Sequence, residues 1–332
     1  RRTMSIETTE RTKAVNVRKG FGIEDAKSDV YLAGFEHNPQ LPIPDGDPNY
    51  VFDRRILRKV NNFLDNPRKD FLWMAGDAGA GKTSSILNIA NRLNYPVVAS
   101  NGSEDTMVSD FIGKTDLVNG TTIYSYGALA KAMKYGYIFL LNEMDRIPPG
   151  RLTVLHDVLD GLPLVLDDNG GEVIKPHKNF RFVATGNSTG NGDDTGLYSG
   201  VFALEMALND RKRLIRVPYL DKEIEHKILR ASEPDLEQSE GDDVVEKMVK
   251  LANMTRDRFL SGSDVDQPLS MPLTTRSLRK WAGLVVDYAD TDNPLREGLE
   301  EAYTDSLKPE QRLAIHEIAE GIWGDAWGGN EL

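Results

Sequence analysis

The chain has 332 residues, with 40 Lys and Arg against 52 Asp and Glu, a net charge of −12, 39% hydrophobic residues and no cysteine. These values exclude a disulfide framework and a thiolate metal site, and no apolar run approaches the roughly 20 residues that span a bilayer. The acidic balance opposes nucleic acid, the polar N-terminus lacks the apolar segment of a secretory signal, and the expectation is a cytoplasmic chain with one medium and one smaller domain.

Residues 1–48 are rich in turn formers, and Pro39, Pro42, Pro44, Asp45, Gly46, Asp47 and Pro48 cannot form a helix interior. They read as an N-terminal extension closed by an irregular loop. Residues 54–65 place Ile56, Val60 and Phe63 at helical spacing. From 71 to 76 the run FLWMAG suits a buried strand, and a glycine loop leads from it into a helix carrying Ile86, Ile89, Ala90 and Leu93. Further strands are expected at 95–100, 137–142, 179–187 and 213–220. Strands alternating with helices predict an α/β fold with a parallel sheet covered on both faces. Two stretches read instead as inserted β-hairpins: 116–126, with Asn119-Gly120 at its turn, and 163–175, with Asn169-Gly170-Gly171.

Beyond about 220 the strands stop. Val245, Met248, Val249 and Ala252 follow helical spacing, as do Leu278, Trp281, Ala282 and Val285, and helices are expected over 294–306 and 309–323. The resulting organisation is an extension at 1–48, an αβ nucleotide-binding domain at 49–219 and an all-helical lid domain at 220–332.

The chemistry is concentrated in Gly76-Asp77-Ala78-Gly79-Ala80-Gly81-Lys82-Thr83, which matches G-x-x-x-x-G-K-[ST]. Backbone N–H groups that converge on phosphate oxygens require glycine where a side chain would collide. Lys82 is expected to reach the β- and γ-phosphates and the Thr83 hydroxyl to ligate Mg²⁺, with Ser84 in the same helix start, whose positive end faces the anion. A strand before the loop and a helix after it complete the context, so the cofactors expected are ATP and Mg²⁺. The strand 138–142 ends in Asn142-Glu143. That strand end holds the metal carboxylate in P-loop ATPases; Asn142 offers an uncharged amide oxygen instead, which predicts weaker metal binding or slower turnover. Glu143 suits the residue that polarises the attacking water. Asn187, at the end of the strand 179–187, can hold that water against the γ-phosphate. Positive charge on the transition state is expected from Arg211, supplied by a neighbouring subunit, and from Arg276 of the lid. Arg213 is a second candidate for the former role and Arg279 a weaker one for the latter.

No other chemistry stands out. His37, His156, His177, His226 and His316 have no zinc spacing. Ser199 within Gly196–Gly200 lacks the strand and helix of a nucleophile elbow. The acidic stretches 193–194, 234–243 and 287–292 read as solvated surface.

Four stretches carry a family resemblance: DPNYVFDRR (47–55), NEMDRIPPGRLTVLHDVLDGLPLVL (142–166), PHKNFRFVATGNSTGNGDDTGLYSG (176–200) and ALNDR (207–211). With the P-loop, they make the chain resemble the MoxR branch of AAA+ ATPases, and within it the AAA+ subunit of aerobic cobaltochelatase, CobS, from about residue 21 to 323. The resemblance implies an αβ core with a helix-2 insertion hairpin at 116–126 and a pre-sensor hairpin at 163–175, then a helical lid. It also implies a hexameric ring with ATP at subunit interfaces completed by Arg211, and an adenine-contacting segment at Tyr50 and Val51. The family's rings act with a partner bearing a von Willebrand factor A domain (CobT-like).

The leading expectation is therefore an ATP-driven ring that remodels a protein partner, chelatase- or chaperone-like, with hairpins gripping the partner in a central pore. A nucleic-acid motor is opposed by the hairpin tips, Val118-Asn119-Gly120-Thr121 and Asp167-Asp168-Asn169-Gly170, which are neutral and acidic. A nucleotide-dependent scaffold that scarcely hydrolyses is favoured by Asn142 and opposed by Glu143, Asn187 and Arg211.

Overall fold

The structure, a computed structural model, describes residues 6–193, 198, 200–237, 243–261 and 268–328. Asp194, Ser199 and residues 238–242 of the acidic stretch lie outside the described residues. The chain divides into two compact units, Arg1–Asp77 with Gly81–Val217, and Ala78–Ala80 with Pro218–Leu332. Their charge is uneven. The first unit carries 27 basic and 27 acidic residues, the second 13 and 25, so the whole net charge of −12 belongs to the second.

In the first unit the N-terminal segment holds β1 (Lys13–Asn16), α1 (Val17–Phe21) and β2 (Tyr31–Gly34), with β1 and β2 antiparallel. This pair was not expected from the sequence. It is anchored by the Phe35 N–H, which donates to Leu93 O at 2.8 Å. Next comes α2 (Arg54–Asp65), whose N-cap Asp53 accepts from Arg55 N and Ile56 N and whose buried face is Ile56, Leu57, Val60, Phe63 and Leu64. β3 (Phe71–Ala75) leads through the glycine loop into α3 (Lys82–Arg92) and on to β4 (Val97–Asn101). That last strand is expected from Tyr95; in the structure Tyr95 is buried and Pro96, with no N–H, precedes the ladder.

α4 (Val108–Ile112) precedes the first inserted hairpin, β5 (Gly113–Val118) with β6 (Thr121–Tyr126). Asn119 and Gly120 at its turn have φ of 50° and 76°, the positive values that a two-residue hairpin loop needs. α5 (Ala128–Tyr135), β7 (Ile138–Asn142) and α6 (Thr153–Leu159) follow. Then come the second hairpin, β8 (Leu164–Leu166) with β9 (Glu172–Ile174), and β10 (Arg181–Gly186), α7 (Met206–Asp210) and β11 (Lys212–Arg216). β11 stops two residues before Pro218, shorter than the 213–220 expected.

The five core strands form one parallel sheet in the order β11-β3-β10-β7-β4. Its three central strands are almost wholly buried, which is why each reads as a continuous apolar run rather than an alternating one. Phe182 on β10 stacks between Phe71 and Phe139 of the adjoining strands, with ring centroids 5.1 and 5.3 Å away. Because the strands are parallel, Ala75, Gly186 and Asn142 end at one edge of the sheet, and the loops that follow meet there.

The second unit is helical: α8 (Lys222–Ser232), α9 (Val244–Leu260), α10 (Thr275–Asp287), α11 (Pro294–Ala302) and α12 (Pro309–Trp323). α11 ends at Ala302 and a 3-10 turn occupies 304–306, where the sequence reading continued the helix. Inside this unit, the Arg256 guanidinium meets both carboxylate oxygens of Glu225 at 2.7 and 2.8 Å and donates to Leu273 O at 2.9 Å. Thr275 Oγ1 donates to the same carboxylate at 2.7 Å, so one buried ion pair joins α8, α9 and the start of α10. Among the described residues no helix is long and apolar enough to cross a membrane.

Candidate nucleotide site

The loop between β3 and α3 turns twice through backbone that disfavours side chains: Gly79 has φ 77° and Gly81 has φ 87°. Gly81 caps α3, whose first residue is Lys82, so the unpaired N–H groups of that helix start point back toward the loop. The Lys82 ammonium donates to Gly76 O at 2.5 Å, Asp77 O at 2.9 Å and Asn187 Oδ1 at 2.9 Å. Burial draws its pKa below the usual lysine value, opposed by the negative charges of Asp145, Asp77 and Glu143. Lys82 thus stands at the meeting point of the loop and the β10 end.

The Thr83 hydroxyl donates to Asn142 Oδ1 at 2.8 Å, and Asn142 Nδ2 donates to Asn101 Oδ1 at 3.0 Å. Asn101 and Asn142 are register partners at the ends of β4 and β7. Asn101 was missed from the sequence, because only the strand order brings it beside Asn142. Thr83, Asn142 and Asn101 present neutral oxygens, a donor chemistry that suits a hard cation which keeps part of its water shell. Among the described residues no group of three His, Asp or Glu side chains is placed to hold a metal ion.

Glu143 leaves β7 in the left-handed region, with φ 52° and ψ 42°. A non-glycine residue there is strained by about 1–2 kcal/mol, and such strain is found where a side chain must be aimed for function. Its N–H donates to Thr185 Oγ1 at 3.1 Å, and its half-exposed carboxylate pairs with Arg146 at 3.2 Å. The next turn carries Asp145, which is fully buried and accepts from the N–H groups of Asn187 and Ser188 at 2.8 and 2.9 Å. Burial pushes the Asp145 carboxyl above the usual range, against those hydrogen bonds. Nothing in its local sequence marks it.

The segment before α2 is laced to α3. Asp47 N donates to Asn88 Oδ1 at 2.8 Å, Arg92 Nη2 donates to Asp47 O at 3.1 Å, and Tyr50 OH meets Ser85 Oγ at 2.9 Å. Burial raises the Tyr50 pKa. Val51 lies between Tyr50 and the buried Phe52, whose ring is 4.8 Å from that of Tyr50. The Ser84 carbonyl accepts from Asn88 Nδ2 at 2.9 Å. Asp77 Oδ1 accepts from Tyr198 OH at 3.0 Å, a contact the sequence did not indicate. Within the second unit Tyr219 OH donates to Ala78 O at 2.9 Å, and Ala80 is buried.

The structure therefore gathers Gly76, Asp77, Gly81, Lys82, Thr83, Asn142, Glu143 and Asn187 at one edge of the sheet. Arg211 lies elsewhere. It follows α7 and precedes β11, and its carbonyl accepts from Phe71 N at the start of β3. Five residues of strand separate that level from the P-loop, about 17 Å along the sheet. Arg211 pairs with Asp160 at 2.6 Å, whereas Arg213 is held by Asp70 at 2.8 Å and lies over the Phe63 ring. Arg276 belongs to the second unit and is exposed in the first turn of α10.

Residues 72–199 match the AAA domain (dynein-related subfamily), and residues 227–322 match the C-terminal region shared by CbbQ, NirQ and NorQ. The chain is 32% identical over 277 residues to the aerobic cobaltochelatase subunit CobS of a Sinorhizobium species, covering 81% of this chain and 79% of that protein. It is 26% identical to an uncharacterised protein of Staphylococcus aureus, over 75% of this chain and 89% of that one. The fold is also similar to the RuvB Holliday junction branch migration motor of Thermotoga maritima, with a TM-score of 0.46 at 15% identity, over 87% of this chain and 76% of that one. The P-loop at the sheet edge, the inserted hairpins, the helical second unit and the extent of the match to CobS together show that this chain belongs to the AAA+ ATPases of the MoxR branch, in the CobS-related family.

Proposed function

We propose that the chain hydrolyses Mg·ATP as a ring-forming motor that remodels a protein partner, in the manner of a chelatase or chaperone subunit. The observation that carries this reading is the convergence of two strand ends on one P-loop, Asn187 on Lys82 and Asn142 on Thr83. A bound nucleotide would supply the phosphoanhydride bond to be cleaved, and a bound Mg²⁺ would supply positive charge to stabilise the reaction. Lys82 would exchange its loop carbonyls for phosphate oxygens, and Thr83 and Asn142 would face the metal. Glu143 takes the proton of the attacking water and Asn187 orients that water. Tyr50 and Val51 flank the base. Arg211, remote from its own P-loop, would act on the site of a neighbouring copy, and Arg276 from the lid. The assembly proposed is a hexamer acting with a partner that bears a von Willebrand factor A domain, a reading supported by the resemblance to CobS, with 49–219 as the motor domain and 220–332 as the lid.

Asn142 favours a second reading, a nucleotide-dependent scaffold with little hydrolysis, because its amide brings no charge to the metal. The rate of ATP hydrolysis per subunit, measured across a wide range of protein concentration at saturating Mg²⁺, separates the two. A shared site gives a specific rate that climbs and then saturates, and Lys82→Ala abolishes nucleotide binding. A rate at background throughout, with nucleotide still bound, selects the scaffold or an enzyme that is silent without its partner.

A further inference from the structure

The buried carboxylate two residues after Glu143 has a task of its own. We infer that Asp145 is a positioning residue, which fixes Asn187 against Lys82 by accepting the backbone N–H groups of Asn187 and Ser188. This rests on the ATPase reading of the site, but its geometry can be measured separately.

Three observations converge on it. The first is the hydrogen bonding itself. Asp145 Oδ2 takes both N–H groups, at 2.8 and 2.9 Å, at the point where β10 ends and the chain must leave the sheet. These are bonds to an ionisable acceptor, shorter and stronger than neutral ones. The second is the opposite side of the same segment. The carbonyl of Ser188 accepts from the indole N–H of Trp73 on β3 at 2.9 Å, and Trp73 is fully buried. Residues 187 and 188 are therefore gripped between β3 and the turn after β7. The third is the fit of the residue before them. A Cβ on Gly186 would lie 2.7 Å from Asp145 Oδ2 and 2.3 Å from the Trp73 ring, so only glycine lets the strand end pass between them.

The consequence reaches the chemistry through one side chain. With its backbone held, Asn187 presents Oδ1 to the Lys82 ammonium at 2.9 Å. Asp145 acts through the backbone N–H groups of Asn187 and Ser188; it decides where Asn187 stands. Asp145 Oδ1 has no hydrogen-bond partner among the described residues. A fully buried carboxylate with one empty oxygen is costly to keep, and a core built for packing alone would place an apolar residue there.

Two variants, Asp145→Ala and Asp145→Asn, test the inference through amide hydrogen exchange of the Asn187–Ser188 segment and through steady-state ATP hydrolysis. The side-chain amide of the second variant keeps one oxygen for both N–H groups. Asp145→Ala should lose the exchange protection of residues 187 and 188 and lower kcat about 100-fold, the size of loss that a misplacement of about 1 Å can cause, with nucleotide affinity within about threefold of the parent. Asp145→Asn should keep the protection and return kcat to within about fivefold. Slow turnover of Asp145→Asn with protection retained would overturn the positioning role and assign the effect to charge. Parent-like turnover and protection in Asp145→Ala would overturn it altogether. Should the Ala variant not fold, the isosteric Asn variant still separates hydrogen bonding from charge. The exchange readout does not depend on hydrolysis, so an inactive parent would refute the ATPase reading without touching the hydrogen-bond assignment.

Discussion

In the proposed reading of the site, the metal would face neutral groups, Thr83, Asn142 and Asn101, and this sets the behaviour expected of individual residues. Asn142 accepts from Thr83 through Oδ1 while its Nδ2 is occupied by Asn101, so the amide is oriented from both ends. A carboxylate at this position would add a charge beside the cation, and a hydrogen bond to a charged group is worth about 1.5–3 kcal/mol against about 0.5–1.5 kcal/mol for a neutral one. Asn142→Asp should therefore lower the Mg²⁺ concentration for half-maximal hydrolysis by about tenfold or more, measured in a magnesium titration at fixed ATP. An unchanged midpoint would place residue 142 away from the metal. Residue contacts of this kind divide sharply in their legibility. The P-loop is local, eight residues whose glycines and lysine announce their own geometry, and Asn142 and Glu143 end an apolar run that is easily read. Asn101 and Asp145 act through space, on partners 41 and 42 residues away, and their roles exist only once the strand order is known.

At the level of elements, the helical unit depends on one buried ion pair. Glu225 and Arg256 are each almost completely inaccessible, with side-chain exposures of 0% and 2%. The Arg256 guanidinium satisfies Glu225, Leu273 O and the face of the Tyr219 ring together. Removing one member leaves the other charged, buried and alone, which costs about 3–5 kcal/mol. Arg256→Ala should lower the unfolding free energy of the helical unit by that amount in urea denaturation, and a loss below about 1 kcal/mol would show that Glu225 finds another partner or water. The same pair explains why α8 escaped the sequence reading. Its most buried positions are Glu225 and Leu229, so the apolar period is interrupted by a carboxylate whose partner lies 31 residues on. The β1–β2 pair escaped for a related reason, since four-residue strands separated by a helix and a turn-rich stretch carry no hairpin signal. The two inserted hairpins were readable because Asn-Gly and Asn-Gly-Gly require backbone that few other residues adopt.

For the whole molecule the decisive question is whether one copy completes the site of another. The first unit is electrically neutral and the second carries the entire net charge of −12, so copies repel through their helical units unless a specific contact overrides it. Arg211 is suited to such a contact. It stands at the sheet edge opposite its own P-loop, tethered by Asp160 and Ala207 O, with its side chain about one-third exposed. A cis role would require it to cross the sheet; a trans role requires only that a neighbour's P-loop face it. A mixing experiment decides between them. Lys82→Ala chains lack a working P-loop but keep Arg211, and Arg211→Ala chains have the reverse defect, so each alone should be nearly inactive. If Arg211 works in trans, an equimolar mixture assembled at random pairs an intact P-loop with an intact Arg211 at about a quarter of its head-to-tail interfaces, and regains about that fraction of the parent rate. If it works in cis, every chain in the mixture lacks one of the two groups and no activity returns. High salt provides the control, because it weakens charge repulsion between copies without repairing either defect: activity that salt alone restores would belong to assembly, and activity that only mixing restores belongs to Arg211.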